Sequence, residues 1–306
     1  MKVLIAYDGS ECSDAAIMDL RRAGLPAVAD VLVLSVAEIS QRVMAVPYSV
    51  SVAGAGMFVP QSMESDASSD HRFQEIKAFA TQAADRLHAD FPGWHIDTEA
   101  WVDVAGSAII RKAHAWNPDL VVLGSHGRSG INRFLLGSVS QNVLHHVTCS
   151  MRISRHRLHP QERSIRLLIG VDGSSSAKMA VQSVAARIWP AGTEARIIGV
   201  LDSEISLAAA GTLEGAIPAA IEDESQIRMS KAVHGAVQEL EISGLHVTHQ
   251  VIAGIPCEAL LAEAEKWAAD CVFVGARGLN GLERLLLGSV STAVASQAHC
   301  SVEIVR

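Results

Sequence analysis

The sequence predicts an α/β protein made of two tandem copies, each a mostly parallel sheet with helices on both faces. Three observations carry this. Short aliphatic runs alternate with helical patterns along the whole chain, the order expected of right-handed crossovers onto a parallel sheet. A frame of Gly-x2-Gly, nine residues and Gly-Ser-Val-Ser occurs at Gly124, Gly127 and 137–140, and again at Gly275, Gly278 and 288–291. An Asp-Gly-Ser turn also recurs, at 8–10 and 172–174.

Residues 2–7 are aliphatic with little alternation, which suits a strand buried on both faces. Asp8-Gly9-Ser10 turns the chain, and Ser10 is placed to cap a helix bearing Ala15, Ala16, Ile17 and Leu20 that stops near Gly24. Residues 31–36 form a second buried strand. The stretch 37–70, rich in Ser, Gly, Ala and Met, exceeds ordinary connections and reads as functional, mobile or both. Helical periodicity returns over 71–90 through Phe73, Ile76, Phe79, Ala80, Ala83 and Leu87. Residues 94–102 alternate like a strand, and 105–116 read as a helix. The apolar run 119–123 leads into the first glycine frame. A helix follows with Val139, Val143, Leu144 and Val147 on one face, and then a short last strand at 150–155.

Residues 155–163 are polar and contain Pro160, a linker composition. The expected division is therefore a first domain at 1–155, a linker at 156–163 and a second domain at 164–306. In the second copy the strands fall at 165–171, 196–200, 245–252 and 301–306. Helices fall at 222–243 and 254–267, and a further helix follows the second glycine frame with Val290 and Val294 on one face. The Asp-Gly-Ser turns lie 164 residues apart and the glycine frames 151, so the first copy is longer by 13 residues, most of them placed after Val36.

With 306 residues the chain has room for about two ordinary domains. No run of eighteen apolar residues occurs, and an acid already stands at position 8, so neither a membrane span nor a signal peptide is expected and the location reads as cytoplasmic. A net charge of −8 argues against nucleic acid as the main partner. The basic stretch 152–166 reads as a solvated linker. Five scattered cysteines without a CxxC pair suggest reduced thiols. His145-His146 reads as a helix-end pair rather than a metal site.

The junction from strand through glycine loop to helix suits an anion. Glycine lets backbone approach a ligand closely. The first N–H groups of a helix lack internal partners, and the helix dipole favours negative charge there. Ser138 and Ser289 stand where a hydroxyl would cap the helix or bond a phosphate oxygen. The competing reading is a tight turn needing glycine for packing alone; duplication with equal spacing weighs against it. Asp8 and Gly124 both stand at carboxyl ends of strands, where such sheets bind ligands.

In this order and context the motif, Gly-x2-Gly-x9-Gly-Ser after a strand that ends in an aspartate turn, resembles the ATP-binding universal stress proteins, and the resemblance spans essentially the whole chain as two copies. It implies two Rossmann-like or flavodoxin-like domains, each a five-stranded parallel sheet of order 3-2-1-4-5. It implies an ATP site in each half, with Mg²⁺ accompanying the nucleotide. Carried over by position, Ala6 and Asp8 lie at the adenosine, Val36 holds adenine through its backbone, and Leu123, Gly124, His126 and Gly127 run along ribose and the first phosphates. Gly137, Ser138 and Val139 hold the terminal phosphates. The second set is Asp172, Val200, Val274, Gly275, Arg277, Gly278, Gly288, Ser289 and Val290. His126 against Arg277 predicts two sites of different charge. Gly254-Ile255-Pro256 before a helix has no equivalent at 103–105.

Neither GxxxxGK[ST] nor GxGxxG occurs. Binding, rather than turnover, is the chemistry expected, in a nucleotide-responsive regulator or stress-tolerance factor. Two alternatives stand beside it. One is a slow Mg-dependent ATPase, with Asp8 or Asp172 on the metal and Arg128, Arg133, Arg277 or Arg284 on the phosphates. The other is an interaction module with vestigial sites. The last strands, 150–155 and 301–306, are expected to pair within the chain as a pseudo-dimer, leaving homodimers open. Otherwise Arg152, Arg155, Glu303 and Arg306 would shield two free edges with charge.

Overall fold

The computed structural model describes residues 1–38, 66–126, 136–155, 163–202, 218–279 and 287–306. Among them the first half runs β1 (Lys2–Ala6), α1 (Glu11–Asp19), β2 (Asp30–Glu38), α2 (Asp66–Asp90), β3 (His95–Asp103), α3 (Ala105–Trp116), β4 (Leu120–Gly124), α4 (Ser138–His146) and β5 (Ser150–Ser154). The second runs β6 (Arg166–Val171), α5 (Ser175–Ala185), β7 (Glu194–Asp202), α6 (Pro218–Ile242), β8 (His246–Gly254), α7 (Pro256–Lys266), β9 (Cys271–Gly275), α8 (Ser289–Gln297) and β10 (Ser301–Val305).

Each half has the strand order 3-2-1-4-5, and the halves join into one ten-stranded sheet, β3-β2-β1-β4-β5-β10-β9-β6-β7-β8. Every strand pair is parallel except β5 with β10, which is antiparallel. The central strands β4 and β9 are buried at every residue, as continuous apolar runs covered on both faces must be. On one face a single core runs through both halves, joining Ile109, Leu144, Leu260 and Val294 beneath α3, α4, α7 and α8. On the other face each half has its own core, under α1 and α2 or under α5 and α6.

The length difference falls where it was placed. The starts of β2 and β7 are 164 residues apart, those of α2 and α6 are 152 apart, and those of β3 and β8 are 151 apart. The stretch 39–65 between β2 and α2 lies outside the described residues, while α2 begins at Asp66, earlier than periodicity suggested. Gly254, expected to open a helix, instead ends β8 with φ 151°, and Pro256 starts α7.

The basic stretch is not a solvated linker at its ends. Arg152 and Arg155 are buried at the junction of the halves, and Arg163 pairs with Asp270. Arg155 donates to the carbonyls of Ala295, Ser296 and Cys300, at the C-terminus of α8 in the other half. Arg306, its equivalent 151 residues on, donates to Leu144 and Cys149 at the C-terminus of α4. Each half thus ends in a cation that satisfies the orphan carbonyls of its neighbour's last helix. These charges shield no free edge; they lie inside an interface.

Candidate functional site

The site is assembled where β1, β2 and β4 end. At the end of β1, Tyr7 N–H donates to Leu34 O at 3.0 Å, and the chain then leaves the sheet. Asp8 accepts from Ser10 N–H at 3.0 Å across Gly9, whose φ of +75° no branched residue adopts readily. Ser10 Oγ in turn accepts from Ser13 N–H, capping α1 as predicted. The second half repeats this: Asp172 accepts from Ser174 N–H at 2.9 Å across Gly173, and Ser174 caps α5. Both aspartates therefore shape their turns.

Leu34 directs its carbonyl toward β1. Backbone groups alternate sides along a strand, so the amide and carbonyl of Val36, two residues on, point the same way, into the space beyond the end of β1.

The loop that leaves β4 returns to α4 on two staples. Gly137 N–H donates to Ser125 O at 2.8 Å, and the Ser140 hydroxyl donates to Gly124 O at 2.8 Å. The counterparts are Gly288 N–H to Ala276 O at 2.7 Å and Ser291 Oγ to Gly275 O at 2.6 Å. The N-cap positions are Gly137 and Gly288, with no side-chain cap at either. This corrects one expectation: Ser138 and Ser289 are the first helical residues, one place too late to cap. Among the described residues neither helix start is capped by a side chain. Gly124 and Gly275 have a packing reason too, since a Cβ on Gly124 would lie 2.6 Å from Cys12 O and one on Gly275 2.4 Å from the Ser176 carbonyl carbon.

In the first half these parts enclose a cleft of about 570 Å³. It is lined by Ala6, Tyr7 and Asp8, by Leu34, Val36 and Ala37, by Leu123, Gly124 and His126, and by Gly137, Ser138, Val139 and Ser140. Ser13 of α1, Ala105 and Ile109 of α3, and Arg72, Glu75 and Ile76 of α2 complete it. The structure thus brings the expected first-half residues into one space, apart from Gly127, which with Arg128 and Arg133 lies outside the described residues.

Arg72, Glu75 and Ser140 were missed. The helical period of α2 was legible, but not which polar residues it would turn toward the sheet. For Ser140 a signal existed: the serine closing Gly-Ser-Val-Ser recurs as Ser291.

His126 Nε2 is buried and has no hydrogen-bond partner among the described residues, while Nδ1 lies 3.2 Å from Ser125 Oγ. Burial, and then the Arg155 charge, holds this imidazole below the usual histidine range. Burial and a hydrogen bond to Asp14 push the Tyr7 phenol up to about 12, so it stays a neutral donor.

In the second half Val274 is buried, Val200 is half-buried, and Gly288, Ser289 and Val290 stand at the start of α8. Arg277 and Gly278 are exposed. The loop here folds against the aspartate turn: Leu279 N–H donates to Asp172 Oδ2 at 3.2 Å, and a Cβ on Gly278 would sit 2.8 Å from that oxygen. Ser176 donates to the Arg277 carbonyl and accepts from its N–H. Arg284 lies outside the described residues.

Two doubly wound α/β halves, the first with a cleft at its switch point, define the class of protein. The model of the universal stress protein family matches residues 1–155 and 165–306, and the chain belongs to that family. A universal stress protein of Mycolicibacterium smegmatis is 25% identical over 310 residues, covering 99% of this chain and 96% of the relative. One from Mycobacterium bovis is 28% identical over 190 residues, which are 61% of this chain and 62% of the relative's length. Among solved structures, a universal stress protein from Archaeoglobus fulgidus superposes with a TM-score of 0.64 at 22% identity, covering 100% of this chain and 98% of its own. Among the described residues no helix is long and apolar enough to cross a membrane.

Proposed function

We propose that the chain binds adenine nucleotides, ATP foremost, at the carboxyl ends of its strands, and that occupancy regulates a stress response. The observation that supports this best is the first-half cleft. Backbone groups of Val36 face into it from one side and the uncapped start of α4 from the other. Val36 would hold the adenine edge through its amide and carbonyl, with Leu34 and Ile109 as apolar walls. Asp8 would face the ribose.

The N–H groups of Ser138 and Val139, the Ser138 hydroxyl and the orphaned His126 Nε2 would take phosphate oxygens. The donor set fits a triphosphate: it is rich in N–H groups and poor in fixed anions. Magnesium bound with the nucleotide would neutralise part of its charge, and Asp8 and Glu75 are the carboxylates that line the cleft. The second site would use Val200, Val274, Gly275, Gly278, Gly288, Ser289 and Val290, with Arg277 in place of the histidine and Asp172 released from Leu279.

The test is calorimetry with Mg-ATP on Gly137→Val/Ser138→Leu. Gly137 has φ −63° and ψ 154°, a conformation valine adopts without backbone strain. First-half binding is expected to vanish while second-half binding persists. Unchanged stoichiometry would defeat the assignment.

Glu75 favours a second reading, slow Mg-dependent hydrolysis, because it adds a carboxylate the glycine loop lacks. Phosphate release that is present in the unmodified chain and lost in Glu75→Gln and Asp8→Ala would establish it.

A further inference from the structure

The β5–β10 junction carries a charge pattern that duplication alone does not produce. The register pairs Arg152 with Glu303, Ile153 with Val302 and Met151 with Ile304. Glu303 is also the residue 151 positions after Arg152, so each faces its own equivalent. The pair therefore lies on the pseudo-two-fold axis relating the halves. Both side chains are buried, 1% exposed for Arg152 and 0% for Glu303, with Nη1 and Oε2 3.1 Å apart.

Each member is held from behind by its own half. Asp19 of α1 accepts from Arg152 Nε at 2.7 Å, and Arg187, beyond α5, grips Glu303 with both terminal nitrogens. The result is a buried row of alternating sign: Asp19, Arg152, Glu303, Arg187. None of the four is repeated in the other half. The equivalent of Asp19 is Ser183, and that of Arg187 is Ala23.

We infer that this axial row makes the two halves obligate partners of each other, and forbids either half from pairing through its last strand with the same half of a second chain. First half against first half would set Arg152 beside Arg152; second against second would set Glu303 beside Glu303. On a two-fold axis neither like pair can move apart without opening the ladder, and neither is reached by water. Removing or mismatching one member of a buried pair is strongly unfavourable, whereas replacing the whole set with apolar side chains is not. The partner selected is a last strand with a carboxylate at its axial position.

The test cuts the folded full-length chain at a protease site inserted within residues 158–160. Unlabelled and ¹⁵N-labelled nicked chains are mixed in urea, refolded together by dilution and weighed by native mass spectrometry. Pairs of unlike halves should form with scrambled labels, and pairs of like halves should be at least ~100-fold scarcer. The variant Asp19→Ser/Arg152→Met/Arg187→Ala/Glu303→Met, neutral and symmetric at all four positions, should instead yield like pairs readily. Like pairs in statistical proportion from the unmodified row would overturn the inference, as would their continued exclusion from the neutral variant. Should the nicked halves fail to refold, thermal melts of the intact chains decide. Glu303→Arg should melt lower than the native chain and the neutral variant should not; equal melting of Glu303→Arg and the native chain would overturn the inference.

Discussion

The same substitution, glycine to alanine, should move stability in opposite directions at two positions of the second half. At Gly275 the added Cβ would stand 2.4 Å from the Ser176 carbonyl carbon and 2.6 Å from Ala177 N and Ser176 O, all backbone atoms that no rotamer change can withdraw. Relief requires α5 to move off the end of β9, in a sheet region buried on both faces. Overpacking of this kind costs about 1–3 kcal/mol, and the upper end applies because the obstacle is main chain. The stiffer unfolded chain returns about 0.4–1 kcal/mol, leaving a net loss of about 2 kcal/mol. At Gly235, inside α6, a Cβ would have nothing within 4 Å of it. There alanine should gain about 0.5–1 kcal/mol by removing the backbone-entropy penalty of glycine in a helix. Urea unfolding followed by tryptophan fluorescence and circular dichroism measures both. Gly124→Ala repeats the first case in the other half, against Cys12. If Gly275→Ala is as stable as the native chain, or Gly235→Ala is weaker, the reasoning fails, and the loop glycines would be there for a ligand alone.

Other outcomes follow from the same geometry. Ser140→Ala strands the Gly124 carbonyl and should cost about 1–2 kcal/mol by urea unfolding, with Ser291→Ala equivalent at Gly275. Ala268 follows α7 in a left-handed conformation, φ 53°, where the first half has Asn117 at φ 50°; Ala268→Asn should raise stability by about 0.5–1 kcal/mol in thermal melts. The His126 pKa lies below its ordinary value of 6.5, so the unfolded chain binds the proton more readily: this group's contribution to folding is complete above that value and declines as pH falls through it. Nucleotide binding has the opposite sign, because a phosphate stabilises the imidazolium. Affinity in the first half should rise several-fold as pH falls from about 7.5 to about 5.5, and His126→Gln should abolish the trend in calorimetry.

Much of the fold was legible because its signals are local and duplicated. Continuous aliphatic runs marked strands covered on both faces, Ser10 marked a cap, and two unequal offsets located the extra length between β2 and α2. The glycine frames were legible as loops, yet Ser138 and Ser289 do not occupy the cap positions. Whether Ser138 or Gly137 occupies the cap depends on where the backbone turns helical, and the side chains do not announce it. The pairing of the two last strands was expected from the duplication, but not that Arg152 and Glu303 would face each other across it, because the register between strands 151 residues apart is not a local property.

By itself, then, the sequence determined the duplicated α/β plan and placed Asp8 and Gly124 at strand ends, since hydrophobic period and turn chemistry act over a few neighbours; the wider set of site residues came from the family resemblance. The tertiary structure alone decided that α2 brings Arg72 and Glu75 to the cleft and that Asp172 is engaged by its own loop. It also decided that a buried row of alternating charge crosses the axis between the halves. These are relations between distant segments, fixed only when burial makes an unmatched charge or an unfilled space costly.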